Sequence, residues 1–162
     1  MTEMLISLTV NGKAHDLAVP PNAVLADLLR DRFALSGCKV GCDEGVCGAC
    51  TILVDGVPTA ACTTFAFAVD GCTVTTIEGL GGRAGALDRV QAAFLATGAF
   101  QCGFCTPGMI LSIVALLAHE PDPDDETIRD WLGGNLCRCT GYRQIVDAIR
   151  HALLAESVVA AS

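Results

Sequence analysis

Eight of the ten cysteines in this 162-residue chain fall into two sets of four: Cys42, Cys47, Cys50 and Cys62, then Cys102, Cys105, Cys137 and Cys139. The first set reads C-x4-C-x2-C with a distant fourth thiol, the plant-type spacing for a [2Fe-2S] cluster. Few other sites use it, and a chain that must curl around such a loop has little freedom nearby. The pattern points to an electron conduit. Soft anionic thiolates stabilise ferric iron, neighbouring N–H donors ease its reduction, and one electron moves at a time.

Two four-cysteine sets far apart in sequence favour two small halves, each built around its own metal centre. Halves of that size have modest cores, so metal ligation is expected to supply much of the folding free energy. The formal charge is −8 with cysteines counted as neutral thiols. Each oxidised cluster with its thiolates adds negative charge, which argues against nucleic acid as a partner. Met1 to Val10 lacks a basic region and a continuous apolar core, so no export signal is expected there and the chain is expected to stay in the cytosol. In that reducing compartment ten cysteines speak for metal rather than disulfides. The longest apolar stretch, Met109 to Ala118, is about half of the roughly 20 residues needed to cross a bilayer, and reads as a buried helix.

Ile6, Leu8 and Val10 alternate with polar residues, Asn11-Gly12 supplies a tight turn, and Leu17 and Val19 resume the alternation, which predicts a β-hairpin. Asn22 is expected to cap a helix running to Arg30 or Asp31, with Val24, Leu25, Leu28 and Leu29 on its apolar side. The glycines of the Cys38–Cys50 segment suit a loop that points backbone N–H groups at sulfur. Thr51 to Val54, Asp55-Gly56 and Val57 suggest a strand and turn, and Thr73 to Ile77 a last strand. Gly79, Gly81, Gly82 and Gly85 mark a crossing between the halves, so the chain is divided into residues 1–79 and 80–162. Beyond it the pattern turns helical: Leu87, Val90 and Phe94; Ile128, Trp131 and Leu132; Ile145, Ile149 and Leu153. With Met109 to Ala118 that predicts four helices, Asp124 capping the third and Gly133-Gly134 stopping it. An internal echo supports this: Cys102-x2-Cys105-Thr-Pro-Gly and Cys137-x-Cys139-Thr-Gly each lead into a helix, whose N-terminal N–H groups suit an anionic cluster.

Spacing alone leaves rivals. Zinc sites usually pair ligands as two close C-x2-C knuckles, and in the first set only Cys47 and Cys50 form one. The second set, C-x2-C and a distant C-x-C, is compatible with iron, zinc or a redox dithiol, although a thioredoxin-like dithiol would need a strand-helix-strand setting that a helical half does not provide. Cys38 and Cys72 read as small buried apolar residues. Lys39 and Arg138, each beside a ligand, offset cluster charge, touch a partner or are simply solvated. His15, His119 and His151 are scattered and read as surface residues; no dinucleotide fingerprint or P-loop is present, so flavin and nucleotide binding belong elsewhere.

Three stretches carry a resemblance: GCDEGVCGAC at Gly41 to Cys50, QCGFCTPGMI at Gln101 to Ile110, and GNLCRCTGY at Gly134 to Tyr142. Together they resemble the small iron-sulfur subunit of the molybdenum hydroxylases, the family of xanthine dehydrogenase, aldehyde oxidoreductase and bacterial carbon monoxide dehydrogenase. The resemblance spans nearly the whole chain. It implies an α+β chain in which a β-grasp, plant-type ferredoxin-like domain precedes an all-α four-helix-bundle domain. Cys42, Cys47, Cys50 and Cys62 would bind one [2Fe-2S] cluster facing the flavin subunit, and Cys102, Cys105, Cys137 and Cys139 a second beside the molybdenum cofactor. Gln101 and Cys139 match the residues that lie against the pterin. Partners would be a molybdopterin-binding large subunit and an FAD-binding medium subunit, as a dimer of heterotrimers. The expected role is a relay of single electrons from molybdopterin through both clusters to FAD, with no substrate site on this chain and the substrate set by the large subunit. Some members of the family run electrons the other way. A free-standing two-cluster ferredoxin is the main competitor, against which stand the 52% hydrophobic content and the mean hydropathy of +0.51, suited to large permanent interfaces. A zinc-stapled module would be colourless.

Overall fold

The computed structural model describes residues 3–81 and 86–160. Strand β1 (Met4–Val10) pairs antiparallel with β2 (Lys13–Val19) around Asn11-Gly12, whose φ values of 49° and 77° are the turn geometry that matches strand twist. Ile6, Leu8 and Val10 are buried on one face of this hairpin. Strands β3 (Thr51–Val54) and β4 (Val57–Ala60) form a second hairpin around Asp55-Gly56. Strand β5 (Thr73–Thr75) joins the two, parallel to β1 and antiparallel to β3, in the order β2-β1-β5-β3-β4. The last strand is shorter than the Thr73 to Ile77 expected. The Asn11 side chain accepts from the Thr76 N–H at 2.9 Å and donates to its hydroxyl at 2.9 Å, and Ile77–Gly79 then turns as 3-10 helix.

Helix α1 (Leu25–Asp27) widens at once into a π-helical turn over Leu28–Arg32. Asn22 does not cap it. The N-cap is Val24, without a side-chain bond, and the Leu25 N–H is taken by the Thr64 carbonyl at 2.8 Å. The Ala66 N–H to Ala23 carbonyl bond, also 2.8 Å, completes this pairing, so a distant backbone segment satisfies donors that a local cap would otherwise serve. Leu25, Leu28 and Leu29 are buried as expected, in one core with Ile6, Val19, Ile52 and Val74.

The second half holds α2 (Arg89–Thr97), α3 (Thr106–His119), α4 (Asp125–Leu132) and α5 (Arg143–Ala160). Helix α2 starts on a reciprocal cap between Asp88 and Gln91 and ends at Gly98 in the left-handed region. Leu87, expected on its apolar face, precedes the helix and is exposed. The Asp124 carboxylate accepts from the Thr127 N–H at 2.8 Å, the cap expected for α4, and Gly133 ends that helix. Helix α3 is buried along most of its length, and no described helix is long and apolar enough to cross a membrane. Val90, Phe94, Ile113, Leu116, Ile128, Ile145 and Ile149 make a second core. A third, small cluster of Leu53, Leu111 and Ala115 joins β3 to α3. Strand β3 is therefore buried on both faces, Ile52 in the first core and Leu53 against the helix. The architecture is α+β: a mixed sheet with its short helix, followed by helices. Of the glycine-rich crossing, Gly82 and Gly85 lie outside the described residues.

Candidate metal centres

The fold gathers the eight cysteines into two groups of four. Cys42, Cys47 and Cys50 sit on the loop between the π-helical turn and β3, and Cys62 on the short 3-10 turn after β4. Cys42 and Cys47 share a side-chain hydrogen bond, as do Cys50 and Cys62. In the second group Cys139 Sγ lies 3.5 Å from Cys102 Sγ, and Cys105 bonds Cys137. Each group is thus two thiol pairs, which is the division that two irons, each drawing two protein sulfurs, require.

Backbone donors point at these sulfurs. The N–H groups of Glu44 and Cys47 both lie 3.4 Å from Cys42 Sγ and hold its thiol down at about 6, the Glu44 donor contributing most. Cys62 is pushed up to about 11, first by burial and then by Cys50, against the pull of the Gly45 N–H. In the second group the Phe104 N–H, and after it Cys139, lowers Cys102. Burial raises Cys137, but the Thr140 hydroxyl and the Thr140 and Cys139 N–H groups together bring it below its ordinary value. Cys105 is driven up to about 12 by burial and by Cys137. Four crowded thiols, some poised to ionise and some held protonated by their neighbours, will release all their protons together only against strong positive charge.

That donor set fits iron in pairs. Among the described residues no three His, Cys, Asp or Glu side chains converge closely enough to hold a single metal ion. A structural zinc ion draws four ligands around one point, whereas these thiols lie in pairs. Cys102 and Cys139 are exposed, whereas Cys50 and Cys62 are buried. Gln101, next to Cys102, is exposed as well. Cys38 is buried with its Sγ 3.7 Å from the Cys50 carbonyl, and Cys72 is half-buried beside Asp55 and Asp70. His15 rests half-buried on the Phe33 ring; His119 and His151 are exposed.

The two groups are sewn together by backbone. The Leu136 N–H donates to the Cys47 carbonyl at 2.8 Å, one residue before Cys137. Asn135, buried, donates to the Gly48 carbonyl at 2.8 Å and to Thr51 Oγ1 at 3.3 Å. Gly48 has φ 69° and packs so tightly on Gly134 and Asn135 that a Cβ would run into the Gly134 carbonyl; a Cβ on Gly108 would in turn meet the Gly48 carbonyl. The Tyr142 hydroxyl accepts from the Cys137 N–H at 2.8 Å and donates to the Asn135 carbonyl at 3.0 Å, stapling the second loop shut. Phe104, between two cysteines of the second group, lies over Gly41, just before the first. Sequence reasoning missed the roles of Asn135, Tyr142 and Phe104. All three lie inside the motif stretches, which is the only signal they carried.

Residues 24–85 match a 2Fe-2S iron-sulfur cluster binding domain and residues 76–150 a [2Fe-2S] binding domain. The chain is 52% identical to a protein of Bacillus subtilis named as a probable subunit of xanthine dehydrogenase, over 86% of this chain and 79% of that protein. The chain belongs to the small iron-sulfur subunits of the xanthine dehydrogenase, or molybdenum hydroxylase, family. It is 47% identical to the small FeS subunit of nicotinate dehydrogenase from Eubacterium barkeri, covering 94% of this chain and 97% of that one. Among solved structures it matches the quinoline 2-oxidoreductase of Pseudomonas putida 86 with a TM-score of 0.89 at 44% identity, over 96% of both chains. The aldehyde oxidoreductase of Desulfovibrio gigas matches equally well, TM-score 0.89 at 43% identity, but this chain covers only 17% of it. In that member of the family the same unit is one part of a longer polypeptide. The family places this chain among the electron-transferring, iron-sulfur components of oxidoreductases.

Proposed function

We propose that this chain is the electron-transfer subunit of a heterotrimeric molybdenum hydroxylase in the cytosol, relaying single electrons from a molybdopterin centre on a large subunit, through two [2Fe-2S] clusters, to FAD on a medium subunit. Cys42, Cys47, Cys50 and Cys62 would hold one cluster, and Cys102, Cys105, Cys137 and Cys139 the other. Each cluster, when bound, accepts and returns one electron. The division into a β-grasp domain over residues 1–79 and a four-helix bundle over 80–162 belongs to the same reading, supported by two separate apolar cores and by the packing of α2 on α5 and α3 on α4.

The observation that carries the proposal is the Leu136 N–H to Cys47 carbonyl bond. It links a residue bonded to Cys137 directly to Cys47, so covalent bonds and one hydrogen bond run from a thiol of one group to a thiol of the other. The exposed side of the second group, with Gln101, Cys102 and Cys139, is where a partner's pterin would lie, and a dimer of heterotrimers would bury the remaining apolar surface. The relatives named as small FeS subunits favour this over a free-standing ferredoxin. The test is the purified complex: four irons and four labile sulfides attributable to this chain, two distinct paramagnetic signals on reduction, and co-purifying FAD and molybdopterin subunits. Two irons, or a single signal, would reject the two-cluster relay.

A further inference from the structure

The segment Ser36 to Cys38 leads from the π-helical turn into the first cysteine loop, and a half-buried arginine holds it. Arg30 donates through Nη1 to the Cys38 carbonyl at 2.8 Å and more weakly to the Ser36 carbonyl at 3.4 Å. The π-helical widening makes this possible: the Phe33 N–H reaches back to the Leu28 carbonyl and Leu35 to Leu29, with Ala34 at φ 56°, so the chain doubles back across the Arg30 side chain. Cys38 itself packs on Cys50, its Sγ 3.7 Å from that carbonyl. A fixed cation therefore stands directly behind the residues that back the Cys50 and Cys62 pair.

Two hydrogen-bonded contacts, Arg30 Nη1 to the Cys38 carbonyl and Cys38 Sγ to the Cys50 carbonyl, separate the guanidinium from the backbone of a ligand residue. Glu78 is the carboxylate that faces the same segment, and it is engaged there, accepting from the Gly37 N–H at 2.7 Å and from the Thr76 hydroxyl at 2.6 Å. A positive charge here favours the more negative, reduced form of a cluster held by the neighbouring thiols.

We propose that Arg30 is a positioning residue for the first [2Fe-2S] site, tying the entry to the cysteine loop onto the helix and raising the reduction potential of the cluster beside it. The inference rests on the two-cluster reading above. Its test is a redox titration of the intact complex, following the two paramagnetic signals separately, in wild type, Arg30→Lys and Arg30→Gln. The signal lost in Cys47→Ser marks the first site. Arg30→Gln should lower the midpoint potential of that signal and leave the other where it was, while Arg30→Lys, which keeps the charge, should stay near wild type. If Arg30→Gln cannot retain the first cluster but Arg30→Lys can, the need for a cation stands. An unchanged first potential in a fully loaded Arg30→Gln protein, or an equal fall in both variants, overturns the assignment. Absence of two signals in the wild type would instead reject the reading beneath it.

Discussion

The two thiol groups solve the same coordination problem with different material. The first is written almost locally: Cys42, Cys47 and Cys50 share one loop, two of its four sulfurs are buried, and a cation stands behind it. The second is assembled from two loops, each leading into a helix, with Cys102 and Cys139 exposed and the Tyr142 hydroxyl holding one loop closed. The first cradle is made largely by one loop; the second draws on two loops that lead into α3 and α5 and that the seam ties to the first half. Sites that assemble from distant segments carry the loop-closure cost of bringing them together, so the second depends more on the rest of the fold.

The hardest blow to this arrangement falls where the two cradles meet. Gly48→Ala puts a side chain at φ 69° and against the Gly134 carbonyl, and Gly108→Ala drives a Cβ into the Gly48 carbonyl. For Gly48 left-handed strain and overpacking together amount to about 3 kcal/mol or more, and for Gly108 overpacking alone costs about 1–3 kcal/mol. Both variants should bring the second signal down along with the first, because the Cys47 to Leu136 and Gly48 to Asn135 bonds cannot survive. Thermal unfolding and iron analysis of each would check it, and normal occupancy of both sites would mean that the seam does not couple them.

Next in size are single thiols. Cys47→Ser should abolish one signal in the reduced protein and leave the other, and Cys102→Ser the reverse. If Cys47→Ser kept both signals, the first group would be misassigned. The seam can then be weakened without touching a thiol. Asn135→Ala leaves buried partners at Gly48 and Thr51 without its two hydrogen bonds, at a cost of about 1–3 kcal/mol. Because the second cradle leans on the seam, its signal should broaden or fade at a lower temperature than the first. Equal sensitivity of the two would erase the proposed contrast.

What the sequence disclosed follows the same line between local and distant. The β1–β2 hairpin, the thiol spacings, the Asp124 cap and the buried character of α3 are local facts, written within a few residues. The start of α1 is not legible at Asn22 because the Leu25 N–H donates to the Thr64 carbonyl, a partner that no local pattern announces. The last strand was overextended because the Asn11 side chain claims the Thr76 N–H across the sheet. Even the pairing within each quartet is invisible in a list of spacings: Cys102 is nearest in sequence to Cys105 but lies against Cys139. The Asp88–Gln91 cap was missed despite being local, since the glycine-rich stretch just ahead of it reads as a crossing and hides the helix start.

The smallest effects are expected at the two cysteines left over, and they sharpen the contrast most finely. Cys38 and Cys72 are both thiols in the first half, yet only Cys38 touches the first cradle, through the Cys50 carbonyl. Cys72 bonds instead to the Asp70 carbonyl, beyond the sheet edge of that loop. Replacing either sulfur by the smaller hydroxyl keeps a donor and removes little volume, so Cys38→Ser and Cys72→Ser should both retain full iron and both signals. A serine hydroxyl donates more strongly than a thiol, however, and in Cys38→Ser that donor faces the carbonyl of a residue beside the first cluster. A slight shift of the first signal in Cys38→Ser, with none in Cys72→Ser, is the expected result. Iron loss in either variant would show that the thiols had been divided wrongly between ligand and bystander.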